Sequence, residues 1–154
     1  MPLNLNDKAP DFTAVVQNSN GTEIITLFKI LESGQKVLLI FYPGDDTPGC
    51  TVQLCGVKDV YADYQKHNVK VLGVNPASEQ SHLKFINKFA YPFGIVVDAD
   101  KSIRESYGAI GKFFANIVTK RCIFLIDTDG TIIFQHNGQQ DNQQIFKLLE
   151  SMES

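Results

Sequence analysis

The chain has 154 residues, of which 44% are hydrophobic and 20% are charged, and its formal net charge is −3. A chain of this length buries roughly two-thirds of its unfolded surface, so one hydrophobic core suffices without disulfide staples. The weakly acidic charge excludes the basic surface of a nucleic-acid or anionic-membrane binder, and no apolar run approaches the roughly 18 residues of a membrane span. We therefore predict one domain, residues 1–154, whose partners are small molecules or other proteins.

The amino terminus lacks the basic segment and long apolar core of a secretory signal, so a cytoplasmic location is expected. The cysteines, Cys50, Cys55 and Cys122, are too few for the disulfide framework of a small secreted domain. In a reducing compartment, cysteines serve as packed apolar residues, as catalytic groups or as metal ligands. Each must therefore be judged by its surroundings.

The first predicted elements are a hairpin and a strand that leads into a helix. Apolar residues at 12–16 and 22–25 flank an Asn-Ser-Asn-Gly turn, which is typical of a hairpin. The dense apolar run at 37–42 predicts a strand buried on both faces. A loop of turn-forming residues follows, and apolar residues spaced by three and four then predict a helix over about 50–67.

The middle of the chain continues with alternating strands and helices. Residues 69–74 predict a second buried strand, and 79–89 predict a helix. A right-handed crossover of this kind makes the two strands parallel. A short strand at 93–97 follows, and Asp98 is a candidate cap for a short helix at 102–107.

The last third predicts a hairpin and a closing helix. Strands at 122–126 and 131–134 flank an Asp-Gly turn, and the helix covers 142–152. The element order after residue 36 is that of a thioredoxin-like α/β fold, a central sheet flanked by helices, here with an N-terminal β-hairpin extension. In such sheets, reactive sites lie where the carboxyl end of a strand turns into a helix, so the segment after residue 42 is the candidate site.

A cysteine follows this loop, in the first turn of the helix. Free amide hydrogens and the helix dipole stabilise an anion there, so Cys50 is predicted to be ionised at neutral pH. A thiolate attacks an O–O bond, whereas a neutral thiol is a poor nucleophile. Thr47 offers a hydroxyl that can donate to the thiolate or accept a proton from the peroxide, and Pro43 and Pro48 stiffen the loop. This arrangement predicts a preorganised pocket.

A second cysteine, Cys55, follows Cys50 by five positions. On an α-helix this spacing corresponds to about 140° of rotation and about 7.5 Å of rise. The Cα separation is then roughly 8 to 9 Å, beyond the approximately 7 Å that a disulfide permits. A bond between these sulfurs therefore requires local unwinding around residues 47–57.

The loop and helix start resemble the peroxiredoxins, specifically the bacterioferritin-comigratory-protein or peroxiredoxin Q branch. The family's Pro-x-x-x-Thr-x-x-Cys signature falls on Pro43, Thr47 and Cys50. The branch's Thr-Pro-Gly-Cys, with a further cysteine five positions on, extends the match to Cys55. A later Ser-x-x-Ser-His-x-Lys-Phe pattern and an Arg-x-x-Phe-Leu-Ile-Asp strand are also present, so the resemblance spans nearly the whole chain.

The resemblance implies a thiol peroxidase for hydrogen peroxide and organic hydroperoxides. Cys50 would attack the peroxide and become a sulfenic acid, Cys55 would condense with it to a disulfide, and thioredoxin or a similar dithiol protein would reduce that bond. Arg121 would be the active-site arginine, whose guanidinium stabilises the thiolate and holds a peroxide oxygen as negative charge develops. The resemblance implies no metal or organic cofactor, and it favours a monomer.

Two positions depart from the family's common pattern. Gln53 stands where the family often has glutamate, and Val-Lys-Asp at 57–59 stands where an aromatic residue, arginine and aspartate are common. Gln53 can still form hydrogen bonds but carries no charge. The local network and the ease of unwinding are therefore expected to differ.

Simpler roles stay open for two of the site residues. Thr47 can serve as a helix cap, and Arg121 can pair with a carboxylate such as Asp45 or Asp46. Neither role excludes catalysis.

The remaining cysteine and two of the histidines are expected to be structural. Cys122 lies within an apolar strand, where a cysteine packs as a small hydrophobic residue. His82 and His136 lack a metal-ligand spacing with the cysteines, so surface or packing roles are expected.

Two other functions are compatible with this fold. A protein disulfide oxidoreductase normally carries Cys-x-x-Cys, which the chain lacks. A redox-sensing or chaperone-like binding module would instead expose apolar surface when oxidation of Cys50 unwinds the helix.

Overall fold

The computed structural model describes residues 3–138 and 141–153. The elements in chain order are β1 (Thr13–Asn18), β2 (Gly21–Thr26), α1 (Leu27–Glu32), β3 (Lys36–Phe41), α2 (Pro48–Asp59), α3 (Tyr61–Lys66), β4 (Val69–Asn75), α4 (Glu79–Phe89), β5 (Gly94–Val97), α5 (Ser102–Ser106), β6 (Ile110–Phe113), β7 (Asn116–Thr119), β8 (Cys122–Ile126), β9 (Ile132–Asn137) and α6 (Asn142–Glu153).

A mixed sheet forms the centre of the molecule. Within the described residues its seven strands have the order β2-β1-β5-β4-β3-β8-β9, and β6 pairs with β7 in a separate hairpin. The three central strands β5, β4 and β3 are parallel, because helical crossovers connect them. Antiparallel strands extend the sheet on both sides. The predicted α/β fold, with a sheet flanked by helices and an N-terminal hairpin, is confirmed.

The central strand β3 is buried on both faces because its side chains alternate between two apolar layers. Leu38 and Ile40 pack into a layer that contains residues of α2, α3, α4 and α6. Val37 and Leu39 pack into the opposite layer, which contains residues of α1 and α5. The helix α2 therefore starts beyond the carboxyl end of β3 and covers the first of these faces.

The predicted helix at 50–67 is two helices, so its continuity was wrong. The chain leaves helical geometry at Val60, with φ −118° and ψ 19°, and re-enters it in α3. The second helix then places the buried Tyr64 against Phe146, with 4.7 Å between ring centroids. Neither proline nor glycine occupies the break, so no residue type in the sequence indicated it.

Three short elements were not predicted. The helix α1 buries Leu27 and Leu31 against the second face of the sheet. The hairpin β6–β7 turns through Phe114, whose φ of 57° lies in the left-handed region. Phe114 carries no turn signal, because a bulky side chain rarely adopts this conformation.

The predicted cap at Asp98 is confirmed. Its carboxylate accepts hydrogen bonds from the backbone N–H groups of Ile103 at 3.0 Å and Arg104 at 2.9 Å. Burial raises the pKa of this carboxyl group, against the lowering effect of these hydrogen bonds. None of the helices in the described part of the chain combines the length and apolarity needed to cross a membrane.

Candidate active site

Side-chain hydrogen bonds of Asp45 connect the loop after β3 to the rest of the fold. The hydroxyl of Tyr42 donates to Oδ1 of Asp45 at 2.7 Å, and the hydroxyl of Ser81 donates to Oδ2 at 2.6 Å. Nδ1 of His82 lies 2.7 Å from the same Oδ2. Burial alone would raise the pKa of Asp45, but the hydrogen bonds from His82, Ser81 and Tyr42 outweigh it and lower the pKa. The loop is thereby joined to α4 and to the end of the sheet.

His82 is the buried centre of this anchor, with 0% of its surface exposed. Its Nε2 lies 3.1 Å from the backbone oxygen of Asn75, and the Asn75 side chain donates to the backbone oxygen of Tyr42 at 2.9 Å. These bonds connect α4, β4 and the end of β3. The expected packing role of His82 agrees with this position.

Thr47 is at the N-cap position of α2, but its side chain does not cap the helix. Its hydroxyl donates to the backbone oxygen of Gly44 at 3.0 Å, while its backbone oxygen accepts the N–H of Thr51 at 2.8 Å. Pro43 and Thr47 are both exposed, on the rim of the loop. The Thr47 hydroxyl therefore holds the loop in a turn just before α2.

Cys50 lies in the first turn of α2 and is fully buried, with 0% exposure. Nη2 of Arg121 donates to its Sγ at 3.4 Å, and Nη1 of the same guanidinium donates to Oε1 of Gln53 at 2.7 Å. The sulfur thus belongs to the first turn of a helix and lies beside a guanidinium, and both are places where proteins bind negative charge. Asp45 and Asp46 bond other residues, so the alternative of a carboxylate partner for Arg121 is not what the structure shows.

Two residues of α2, Gly49 and Gln53, lie next to the guanidinium of Arg121. A Cβ at position 49 would lie 3.0 Å from Nη2 of Arg121, so Gly49 leaves the space that the guanidinium uses. Gln53 accepts a hydrogen bond through a neutral oxygen, as expected of the residue that replaces the family's glutamate. Because this partner is uncharged, the positive charge of Arg121 is not neutralised there and stays available to the sulfur and to a bound oxyanion.

Cys55 lies on the same uninterrupted helix as Cys50, and both are free thiols. Cys55 is half-buried, and its Sγ is 3.5 Å from the hydroxyl of Tyr91. Tyr91, which lies 36 positions further along the chain in the loop before β5, was not predicted as part of the site. No pattern indicated this contact, since it depends on how α2 packs against that loop.

Cys122 lies on the other face of the sheet. It packs in the layer with Phe41 and Phe124, whereas Cys50 packs in the opposite layer. Burial raises the pKa of the Cys122 thiol to about 12, with a smaller opposing effect of Lys120. Such a thiol is a poor nucleophile, in agreement with the expected structural role. Among the described residues, no group of three or more His, Cys, Asp or Glu side chains is arranged to hold a metal ion.

Known proteins resemble the chain in both sequence and fold. Residues 5–135 match the AhpC/TSA family. The chain is 38% identical over 138 residues to peroxiredoxin bcp of Coxiella burnetii, covering 86% of this chain and 87% of the relative. It is 36% identical to peroxiredoxin bcp of Helicobacter pylori strain J99, covering 97% of this chain and 98% of the relative.

Among solved structures, a cysteine-to-serine mutant of PrxQ from Xylella fastidiosa has the same fold, with a TM-score of 0.87 over 100% of this chain and 99% of that chain at 22% identity. A family match over most of the chain and relatives well above 30% identity lead to the same assignment. The chain belongs to the AhpC/TSA family and is one of its bcp and Q-type peroxiredoxins.

Proposed function

We propose that this thiol peroxidase reduces hydrogen peroxide and organic hydroperoxides through a sulfenic acid at Cys50 and an intramolecular Cys50–Cys55 disulfide. The observation that carries the proposal is the placement of the Cys50 sulfur at the amino end of α2, within 3.4 Å of the Arg121 guanidinium. The peroxiredoxin family implies peroxide substrates and a thioredoxin-type reductant. A fold neighbour from Xanthomonas campestris is described as having alkyl peroxide reduction activity, which supports organic hydroperoxides as a substrate class.

In the first step, the Cys50 thiolate attacks one oxygen of the peroxide. The S–O bond forms as the O–O bond breaks, and the leaving oxygen takes up a proton to become water or an alcohol. Arg121 is positioned to stabilise the charge that develops on the oxygens, and Thr47 can donate to the peroxide once its hydroxyl turns from Gly44. Because Cys50 has no exposed surface, the loop that carries Pro43 must move slightly to admit the substrate.

In the second step, Cys55 attacks the Cys50 sulfenic acid. The two residues share one helix, so the bond forms only when part of α2 unwinds. Thioredoxin or a similar dithiol protein then reduces the disulfide by thiol–disulfide exchange. Since both cysteines belong to one chain, the cycle needs no second subunit. We propose a monomer that works in the cytoplasm, where such reductants are available.

A coupled assay with thioredoxin and its reductase tests both cysteines. Cys50→Ser should abolish peroxide consumption, because the attacking sulfur is lost. Cys55→Ser should react once with peroxide, stoichiometrically, and then fail to turn over with thioredoxin. Cys122→Ser is the matched control and should retain wild-type turnover, since Cys122 lies on the other face of the sheet.

Mass spectrometry of the peroxide-treated wild type should show Cys50 linked to Cys55. Full turnover by Cys50→Ser would falsify the assignment of the nucleophile, and unimpaired cycling by Cys55→Ser would refute Cys55 as the resolving cysteine. The same assay separates the alternatives, because a disulfide oxidoreductase or a chaperone-like redox sensor consumes no peroxide catalytically.

A further inference from the structure

A rigid phenol lies beside the second cysteine. Tyr91 is buried, with 2% exposure, and its hydroxyl lies 3.5 Å from Sγ of Cys55. Its ring stacks on Phe89 and Phe93, at centroid distances of 5.7 Å and 5.2 Å, and meets Phe85 edge-on at 5.1 Å. Three ring contacts leave the hydroxyl little freedom, so its position beside the sulfur is fixed by packing.

The half of α2 that carries Cys55 is well anchored. Nζ of Lys58 donates to the backbone oxygen of Phe89 at 2.7 Å, and Leu54 and Val57 are fully buried. The amide of Asn142 donates to the backbone oxygen of Gly56 at 3.5 Å.

The first turn of the same helix is held at Cys50, which is buried and accepts the hydrogen bond from Arg121, whereas Thr47 and Pro48 before it are exposed. When α2 unwinds, the first turn is therefore the part that moves. In the proposed second step, Cys50 then moves towards Cys55, and Cys55 stays beside Tyr91.

We propose that Tyr91 is a positioning residue for disulfide formation, whose hydroxyl donates a hydrogen bond to Cys55 Sγ and favours the thiolate that attacks the Cys50 sulfenic acid. This inference rests on the proposed function, since it concerns the second step of that cycle.

The hydrogen bond becomes stronger when Cys55 ionises. With a neutral thiol, either atom can be the donor, but a thiolate can only accept, and a charge-assisted bond from Tyr91 is then roughly twice as strong as a neutral one. Burial raises the pKa of Tyr91 far above its ordinary value, and the hydrogen bond with Cys55 adds to this effect, so the phenol keeps its proton at neutral pH. Tyr91 therefore lowers the energy of the attacking form more than that of the resting thiol.

The step is balanced within the protein. Cys55 releases its proton, its sulfur forms the S–S bond, and the S–O bond of Cys50 breaks. The departing hydroxide takes up a proton, so that one disulfide and one water result. A sulfenic acid that has not yet formed the disulfide can react with a second peroxide and become a sulfinic acid. The fraction of sulfinic acid therefore reports the speed of the resolving step.

The test compares Tyr91→Phe with Tyr61→Phe in rapid-quench experiments read by mass spectrometry. Tyr61 is a suitable control because its ring packs against Phe93 in the same aromatic cluster, at 6.1 Å. In Tyr91→Phe, we expect unchanged sulfenic acid formation at Cys50 but disulfide formation about tenfold slower, equivalent to about 1.4 kcal/mol in the barrier. The sulfinic fraction should rise about tenfold at low peroxide, and Tyr61→Phe should match the wild type.

A pH series separates positioning from general loosening of the fold. The difference in the rate of disulfide formation between Tyr91→Phe and the wild type should become smaller above about pH 9, where a thiol ionises without assistance. The role of Tyr91 is overturned if Tyr91→Phe forms the disulfide more slowly by the same factor at every pH. It is also overturned if the variant forms the disulfide as fast as the wild type or faster. If the wild type forms no sulfenic acid at Cys50, the proposed function itself fails, and that result is distinguishable because it precedes the resolving step.

Discussion

The guanidinium of Arg121 connects the reactive sulfur to the helix that carries it. One of its nitrogens donates to Cys50 and the other to Gln53, one helical turn further on. Two such bonds fix the plane of the guanidinium as well as its charge. A lysine at this position would supply a single mobile ammonium, which cannot hold both partners in this geometry.

Arg121→Lys should therefore slow the reaction of Cys50 with peroxide by about a hundredfold, within the range observed when one oxyanion donor is removed. Stopped-flow kinetics of the first oxidation measures this directly. Arg104→Lys is the matched control, because Arg104 is buried elsewhere and donates to Thr119 at 3.0 Å. We expect it to react at the wild-type rate. Equal rates in wild type and Arg121→Lys would contradict the role of the guanidinium.

At the scale of residues, the local arrangement of the predicted site residues could be read from the sequence, but the contact between Cys55 and Tyr91 could not. Thr47, Cys50 and Cys55 lie within one loop and one helix, so their spacing alone predicted their arrangement. Arg121 was assigned to the site only through the family resemblance, because its contact with Cys50 joins residues 71 positions apart in the chain. Tyr91 could not be predicted, since neither its side chain nor its neighbours form a pattern that points to α2.

The two halves of the helix α2 make different contacts with the rest of the fold. Its first turn holds Cys50 at the edge of the site, and its later turns are anchored to the core and to the loop before β5. Opening the first turn exposes Cys50 and breaks its hydrogen bond with Arg121 but leaves Leu54 and Val57 buried, so local unwinding requires far less free energy than unfolding. The resting helix is thus compatible with a reversible change at its start.

Oxidation should therefore loosen the first part of α2 alone. Hydrogen exchange read by mass spectrometry is expected to show faster amide exchange at about 48–54 in the disulfide form, and unchanged exchange at 56–59. Cys55→Ser treated with one equivalent of peroxide is the control, and it should keep the protection of the reduced protein. Uniform protection along α2 in the oxidised wild type would argue against this mechanism.

Element prediction succeeded where periodicity was strong. The helix α4 and the strand β8 match their predicted limits, because long apolar patterns and flanking turn residues bound them. The break at Val60 was not predicted because it depends on tertiary packing. The hairpin β6–β7 was not predicted because its turn depends on an unusual backbone conformation at Phe114. Short elements such as α1 contain too few residues for a periodic signal.

At the scale of the whole molecule, Asp45 both positions the active-site loop and contributes to the stability of the fold. This carboxylate holds the active-site loop to α4 and to the end of β3, and its pKa is lowered in the folded state. A lowered pKa means that the unfolded chain binds the proton more readily. The stabilisation is therefore complete above the unfolded pKa of about 4 and is lost as the pH falls through the folded value.

Asp45→Asn should lower the free energy of unfolding by about 3 kcal/mol at pH 7, because it leaves His82 buried without its carboxylate. The difference from the wild type should shrink below about pH 4. Urea unfolding at pH 7 and pH 3 measures both. Asp46→Asn is the neighbouring control, since its ion pair with Lys88 is exposed and contributes about 0.5 kcal/mol. Equal stability of Asp45→Asn and wild type at pH 7 would refute the anchor.

The overall architecture followed from the order of predicted elements, but the strand order did not. The sequence could not indicate that the N-terminal hairpin pairs with β5, because this antiparallel contact joins segments far apart in the chain. Element order constrains which strands are parallel, whereas the edge that a hairpin occupies depends on the apolar surface left uncovered.

The central sheet also keeps the third thiol apart from the chemistry. Cys122 and Cys50 belong to opposite apolar layers of the sheet. If Cys50 is the cysteine that peroxide oxidises, Cys55 on the same helix is the thiol placed to pair with it, and Cys122 is not. We therefore expect peroxide to link Cys50 to Cys55 and to leave Cys122 as a free thiol.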